Sequence, residues 1–315
     1  MKPTEQNAIL ITGANGNLGK KLIKALGVYP VTALVRSDSA EHDLQDYVAT
    51  LPAANVTVRQ CDYFDTAALA SAADDCHYAV HLVGIIKESV HNSFERAHVQ
   101  ASSALLAALV NTPVKRVFYP SLVGADSNST NVCLATRGVA ERLFLDAPLS
   151  ALVVQIPMVL GEGDFASQAL RKRALSARSI MFRGASLEQP VYAGDLIAAI
   201  KLDYERFVSG TELPSQRLAL AGPESLSRAQ LTKRAASALE THTTTVSLPL
   251  GLGLGIAWVF EKLSASPPIT RSMLRVLDHD DNIDPLPASQ ALGIELTSLD
   301  SMLKKTVAAL PSGKS

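Results

Sequence analysis

Ala8-Ile9-Leu10-Ile11-Thr12-Gly13-Ala14-Asn15-Gly16-Asn17-Leu18-Gly19 is the stretch on which the reading of the fold turns. The apolar run Ala8 to Ile11 reads as a strand buried on both faces. Glycines spaced GxxGxxG follow, and then Leu18, Leu22, Ile23 and Leu26 fall on one face of a helix. Strand, glycine turn and helix in this order form a phosphate-binding unit. Gly13 allows the sharp turn, Gly16 lets backbone approach a diphosphate, and Gly19 lets the helix pack tightly on the sheet. The diphosphate then faces unpaired amides and partial positive charge at the helix N-terminus. Candidate contacts are Thr12, Gly13, Asn15, Gly16, Asn17, Leu18 and Gly19. A glycine turn without a ligand is the plain alternative; the position, in the first unit of an alternating fold, argues against it.

Working outward, Val31 to Val35 reads as the second strand and ends on Arg36-Ser37. An NAD site uses an acid at that strand end for the ribose 2′-hydroxyl, whereas a cation suits a 2′-phosphate. Arg36 can grip a phosphate in bidentate fashion and Ser37 can add a hydroxyl, so NADP(H) is expected in preference to NAD(H). Asp62 follows the third strand and either accepts from the adenine amino group or caps the next helix. Gly84 ends the fourth strand, where a small residue leaves room for the cofactor. Strands at Val56–Val58, Tyr78–Val83, Val114–Tyr119 and Ala151–Ile156 alternate with helices at Phe94–Val110 and Val132–Leu145. The fold class is α/β, a doubly wound parallel-sheet Rossmann fold with a smaller, mostly helical C-terminal domain. The expected domains are 1–221, in which 163–187 contributes to a substrate cleft, and 222–315. A helix over Asp195–Arg206 and a strand over Gln216–Ala221 complete the first of them.

The chain has 315 residues, 47% hydrophobic and 19% charged, with a formal net charge of −1, which is the balance of a folded globular protein. No Lys/Arg run forms a basic stripe, which argues against nucleic acid. Cys61, Cys76 and Cys133 form no CxxC pair, so neither a disulfide framework nor a zinc site is expected. The start, Met1 to Gln6, is polar and lacks the apolar core of a signal peptide. The expected location is cytoplasmic, with a position peripheral to the inner membrane face as the alternative. The longest apolar stretch, Val246 to Phe260, is too short to span a bilayer and holds Pro249 and three glycines.

The glycine unit, Leu34-Val35-Arg36, Cys61-Asp62 and His81-Leu82-Val83-Gly84 resemble the extended or atypical short-chain dehydrogenase/reductases. So do Phe118-Tyr119-Pro120-Ser121, Pro157 to Asp164 and Val191-Tyr192-Ala193-Gly194-Asp195. Leu220 to Ser227 and Pro267-Pro268-Ile269-Thr270 fit a branch that resembles the NADPH-binding accessory subunit of respiratory complex I and includes proteins tied to coenzyme Q biosynthesis. The resemblance implies a Tyr-x-x-x-Lys pair moving a proton while hydride moves at the nicotinamide, with a serine orienting the substrate oxygen. Ser121 matches the serine. Cys133 stands at the tyrosine position and Arg137 at the lysine position. Arg137 keeps a charge able to touch the nicotinamide ribose. Cys133 is either a reactive thiol, activated by Arg137 one turn away, or a small buried side chain where a catalytic phenol is missing. Gln155 replaces an arginine common in relatives, and Leu122 to Asp126 lacks the tyrosine-glycine ending of epimerases, which makes sugar-nucleotide chemistry less favoured.

The seven histidines form neither HxxxH nor HExxH, so no metal is expected. His81 reads as a core residue, His91 and His98 as candidates for substrate contact, and His279 as part of a polar helix end. Asp164 and Asp195 read as helix N-caps. Residues 248–260 are very apolar. They read as a buried helix, as a wall for a quinone or other apolar molecule, or as a contact with a membrane or protein complex. Three roles therefore stand: an accessory or sensing NADP(H) protein linked to quinone or respiratory metabolism, an oxidoreductase on an apolar carbonyl or quinone, and an assembly factor for a membrane enzyme complex.

Overall fold

The structure is a computed structural model that describes residues 8–52, 54–89, 92–263, 270–271, 274 and 280–308. The polar start Met1 to Gln6, His91, Pro267-Pro268 and His279 lie outside the described residues. The described residues fall into two compact units. One comprises Met1–Gln155 with Ile197–Leu218, the other Ile156–Leu196 with Ala219–Ser315.

The first unit is built on a seven-stranded sheet in the order β11-β6-β5-β4-β1-β2-β3. Its strands are β1 (Ala8–Thr12), β2 (Val31–Val35), β3 (Val56–Gln60), β4 (Cys76–His81), β5 (Arg116–Leu122), β6 (Ser150–Ile156) and β11 (Gln216–Ala219). β1 pairs in parallel with both β2 and β4, β2 with β3, and β4 with β5. Helices α1 (Asn17–Leu26), α2 (Asp38–Ala49), α3 (Thr66–Ala73), α4 (Ala101–Leu109) and α5 (Val132–Leu145) fill the crossovers. The helix expected over Phe94–Val110 begins as a π-helical turn, Glu95–Gln100, and continues as α4. Strand order reverses at β1, between β2 and β4. In an open α/β sheet that reversal places a crevice beyond the carboxyl ends of the two strands. β1 and β2 are buried at every position, as continuous apolar runs require. Leu10, Ala79, Leu105, Val117 and Phe144 belong to the core they help form.

Arg116 on β5 is fully buried and gives two parallel bonds to Asp203, from Nε to Oδ2 at 2.8 Å and from Nη2 to Oδ1 at 2.8 Å. Its Nη1 donates to the Leu213 carbonyl at 2.9 Å and to Ser150 Oγ at 3.1 Å, and Tyr78 donates its hydroxyl to Asp203 Oδ2 at 2.7 Å. Asp203 lies on α7 (Ala193–Val208), so one ion pair ties that helix to three strands.

The second unit holds α6 (Phe165–Leu175), α8 (Arg228–Ala238), α9 (Leu250–Leu263), α10 (Leu286–Leu292) and α11 (Leu299–Leu303). Its core gathers Leu160, Leu170, Leu231, Met302 and Val307. Paired strands absent from the sequence reading join them: β7 (Val159–Leu160) with β10 (Val191–Tyr192), β9 (Leu187–Glu188) with β12 (Leu226–Ser227), and β8 (Arg178–Phe182) with β13 (Thr244–Leu248). Removing one member of a buried ion pair leaves an uncompensated charge. Asp203→Ala is therefore expected to cost about 3–5 kcal/mol of stability, read as a lowered urea midpoint.

Candidate functional site

The glycine loop leaves β1 at Gly13, whose φ is 72°. A Cβ there would lie 3.1–3.2 Å from the Leu82 and Val83 backbone, so the loop can pass beside β4 only as glycine. Gly13 donates its amide to Tyr63 Oη at 2.8 Å, and Tyr63 donates its hydroxyl to the Leu34 carbonyl at 2.9 Å. The same carbonyl accepts from Ala14 N–H at 3.2 Å. Gly16 stands at the N-cap of α1 in extended conformation and brings no side-chain cap. Asn15, Gly16 and Asn17 are exposed and Leu18 half-buried. Gly19 is needed for a different contact from the one expected: a Cβ would lie 2.4 Å from the Ala14 carbonyl oxygen, so the helix closes on the loop's own backbone rather than on the sheet. Thr12 Oγ1 is held by His81 Nδ1 at 2.7 Å and is buried, so its hydroxyl serves the interior.

Arg36 and Ser37 are exposed at the end of β2. Among the described residues Arg36 has no ion-pair partner. Ser37 caps α2, its Oγ accepting from Ala40 N–H at 3.3 Å. Asp62 does not cap α3. It accepts from Phe64 N–H at 3.1 Å in a tight turn, and Asp65 takes the cap by accepting from Ala67 and Ala68. Tyr63, between these acids, is absent from the sequence reading. It is 7% exposed, and burial pushes its phenol up to about 12 against the opposing pull of the Gly13 bond.

Ser121, Cys133 and Arg137 are all buried. Ser121 Oγ has no hydrogen-bond partner among the described residues. Burial raises the Cys133 thiol to about 11 although Arg137 pulls it down, so at neutral pH it is protonated, which opposes the reactive-thiol alternative. Arg137 Nη1 donates to Tyr119 Oη at 2.9 Å and to the Pro120 carbonyl at 3.3 Å, while its Nε is unpaired among the described residues. At Gly84 a Cβ would lie 1.8 Å from Arg137 Nη2, so glycine there makes room for that guanidinium.

His98 is buried, with Nδ1 2.8 Å from Thr136 Oγ1 and Nε2 3.0 Å from the Ile85 carbonyl. It fastens the exit of β4 to α5, so both ring nitrogens of this candidate for substrate contact have partners within the protein. Asp195 is no N-cap either. It accepts from Thr297 N–H at 2.8 Å and Oγ1 at 2.7 Å. Asp164 stands at the N-cap of α6 without a side-chain cap bond. On α9, Leu252, Ile256, Trp258, Val259, Phe260 and Leu263 are exposed and only Gly253 and Ala257 are buried, which corrects the buried-helix reading of 248–260. Among the described residues no helix is long and apolar enough to cross a membrane, and no cluster of His, Cys, Asp and Glu could hold a metal.

A glycine turn against β4, a helix N-terminus with no side-chain cap and, among the described residues, a cation without an ion-pair partner at the next strand end are groups of the chemistry that receives anions. Residues 5–137 match the NmrA-like family. The ceramide reductase of Caulobacter vibrioides (strain NA1000 / CB15N) is 27% identical over 181 residues, 57% of this chain and 54% of that protein. The match thus spans about half of that relative. Among solved structures, gox2253 superposes with a TM-score of 0.72 at 18% identity, covering 96% of this chain and 97% of that one. The UDP-glucuronic acid 4-epimerase of Bacillus cereus, in complex with NAD, gives 0.70 at 16% identity over 95% and 97%. These likenesses establish the Rossmann-type fold.

Burial, and next the charge of Arg137, lower His81 and His98 to about 3, whereas an exposed histidine titrates near 6.5. Between those values the unfolded chain binds more protons than the folded one, so stability is lost as pH falls through that window. Moving from pH 7 to pH 5 is expected to cost about 2 kcal/mol per histidine, measured by urea titration at each pH. A flat profile over that interval would contradict the assignment.

Proposed function

We propose that the chain binds NADP(H) in preference to NAD(H), and that its role is chiefly accessory or sensing, linked to quinone or respiratory metabolism. The observation that carries this reading is Arg36: exposed, without an ion-pair partner among the described residues, and at the strand end where an NAD site uses a carboxylate. The NmrA-like match and the NAD in the epimerase structure support a nicotinamide dinucleotide as the ligand class. The residues present fit that group. The Gly13 turn leaves backbone room, the amides at the start of α1 would receive the diphosphate, and Arg36 would hold a 2′-phosphate. Bound, the group would supply a hydride donor or acceptor. The chain brings no phenol to the position from which the resemblance expects proton transfer: Cys133 is buried and protonated there. The kinship with the complex I accessory subunit belongs to this same proposal. Ligand occupancy at a hundred times Kd stabilises a fold by about 2.7 kcal/mol, so binding matters without turnover. Isothermal titration is expected to show NADPH tighter than NADH, with Arg36→Ala weakening NADPH about ten- to a hundredfold and sparing NADH. Equal losses for both nucleotides would end the NADP preference.

A second reading, an NADPH-dependent reductase of an apolar carbonyl or quinone, is favoured by Ser121, whose buried Oγ is unpaired among the described residues. The name of the Caulobacter relative points to a lipid substrate for that protein, and the exposed apolar side chains of α9 suit a ligand of such character. An assembly role at a membrane complex would use the same side chains. In the reductase reading Ser121 orients the substrate oxygen and a water supplies the proton. Substrate-dependent loss of nicotinamide absorbance, abolished in Ser121→Ala, is the expected sign; no loss with aldehydes, ketones or quinones removes this reading.

A further inference from the structure

We propose that Tyr63 is a positioning residue of the nucleotide site, holding the glycine loop in its ligand-receiving shape before any ligand arrives. The inference rests on the dinucleotide reading above and deepens it. Two strand-to-helix connections and the end of a third strand meet at one hydroxyl. Tyr63 comes from the turn after β3, accepts the amide of Gly13 after β1, and donates to the carbonyl of Leu34 near the end of β2. Both hydrogen-bonding roles of the phenol are therefore in use inside the protein.

The surrounding turn is built to deliver it. Asp62 closes the turn onto Phe64 N–H, and Asp65, two residues after Tyr63, caps α3, so the backbone on either side of Tyr63 is fixed. The loop it holds has little freedom of its own to reach the same place. Gly13 is in the left-handed region and lies against the Leu82–Val83 backbone, a conformation glycine adopts but does not enforce. Without the phenol oxygen the Gly13 amide loses its acceptor, and the loop loses its tie to β2 apart from the Ala14 bond.

This arrangement also assigns the amides. Those of Gly13, Ala14 and Gly16 are committed to the protein, so a diphosphate would be received by the first turn of α1 rather than by the loop before it. Tyr63 consequently acts on the part of the ligand shared by NADH and NADPH, whereas Arg36 acts on the part that distinguishes them.

The test compares the full chain with Tyr63→Phe, well below the melting temperature of each, by isothermal titration with NADPH and with NADH. Loss of one hydrogen bond's preorganisation is expected to weaken both nucleotides by about five- to tenfold and to leave their affinity ratio unchanged. Hydrogen exchange of the unliganded wild-type chain supplies a second measurement that does not depend on the variant folding. The Gly13 amide is expected to be protected without ligand. Wild-type affinities in Tyr63→Phe, a shifted NADPH-to-NADH ratio, or a Gly13 amide that exchanges at the unprotected rate would each overturn the assignment. A wild-type chain that binds neither nucleotide would instead remove the dinucleotide reading itself, and Tyr63's role with it.

Discussion

The contact between Gly13 and the backbone of Leu82 and Val83 sets the geometry of everything around it. Because β1 can turn there within van der Waals reach of β4, α1 begins directly over the reversal in strand order. A Cβ at that position would crowd the Leu82–Val83 backbone at 3.1–3.2 Å and strain a left-handed φ. The loop is then tightened from two other sides. Gly19 brings the helix down onto Ala14, and Tyr63 ties the first amide to β2. The shape of the loop arises from the joint placement of these backbone segments, with the Tyr63 hydroxyl as their shared tie.

Beneath the loop runs a set of buried polar groups whose satisfaction constrains the chemistry above. Thr12, His81 and Ser102 share hydrogen bonds, and His98 bridges Ile85 and Thr136. Arg137 brings a guanidinium into the same region, held by a phenol and a carbonyl instead of a carboxylate. Burial first, and the field of this cation second, keep both imidazoles neutral. Burial nevertheless outweighs that field at Cys133, since desolvation opposes a thiolate more strongly than Arg137 favours it.

Much of the fold was legible because its signals are local. A glycine triplet between an apolar run and an amphipathic helix reads without knowledge of distant contacts, and the α5 limits, Val132 and Leu145, follow from periodicity alone. What escaped depends on partners far along the chain. Tyr63 meets Gly13 across fifty residues, and nothing in Cys61-Asp62-Tyr63 announces it beyond an aromatic beside a turn. Asp195 reads as a cap until Thr297 takes its carboxylate. Strands of two residues, such as Leu187–Glu188 and Leu226–Ser227, are too short to show alternation. The composition of α9 states that it is apolar but not whether anything faces it.

The salt link between Arg116 and Asp203 bears on how the molecule can be dissected. The first unit takes its closing segment, Ile197–Leu218, from a part of the chain reached only after an excursion through the second. A fragment cut after Gln155 would carry the glycine loop and the greater part of the sheet, yet would leave a guanidinium inside a hydrophobic layer with no counter-ion. Autonomy of the first unit therefore requires splicing rather than truncation, with Gln155 joined to Ile197 through a new linker.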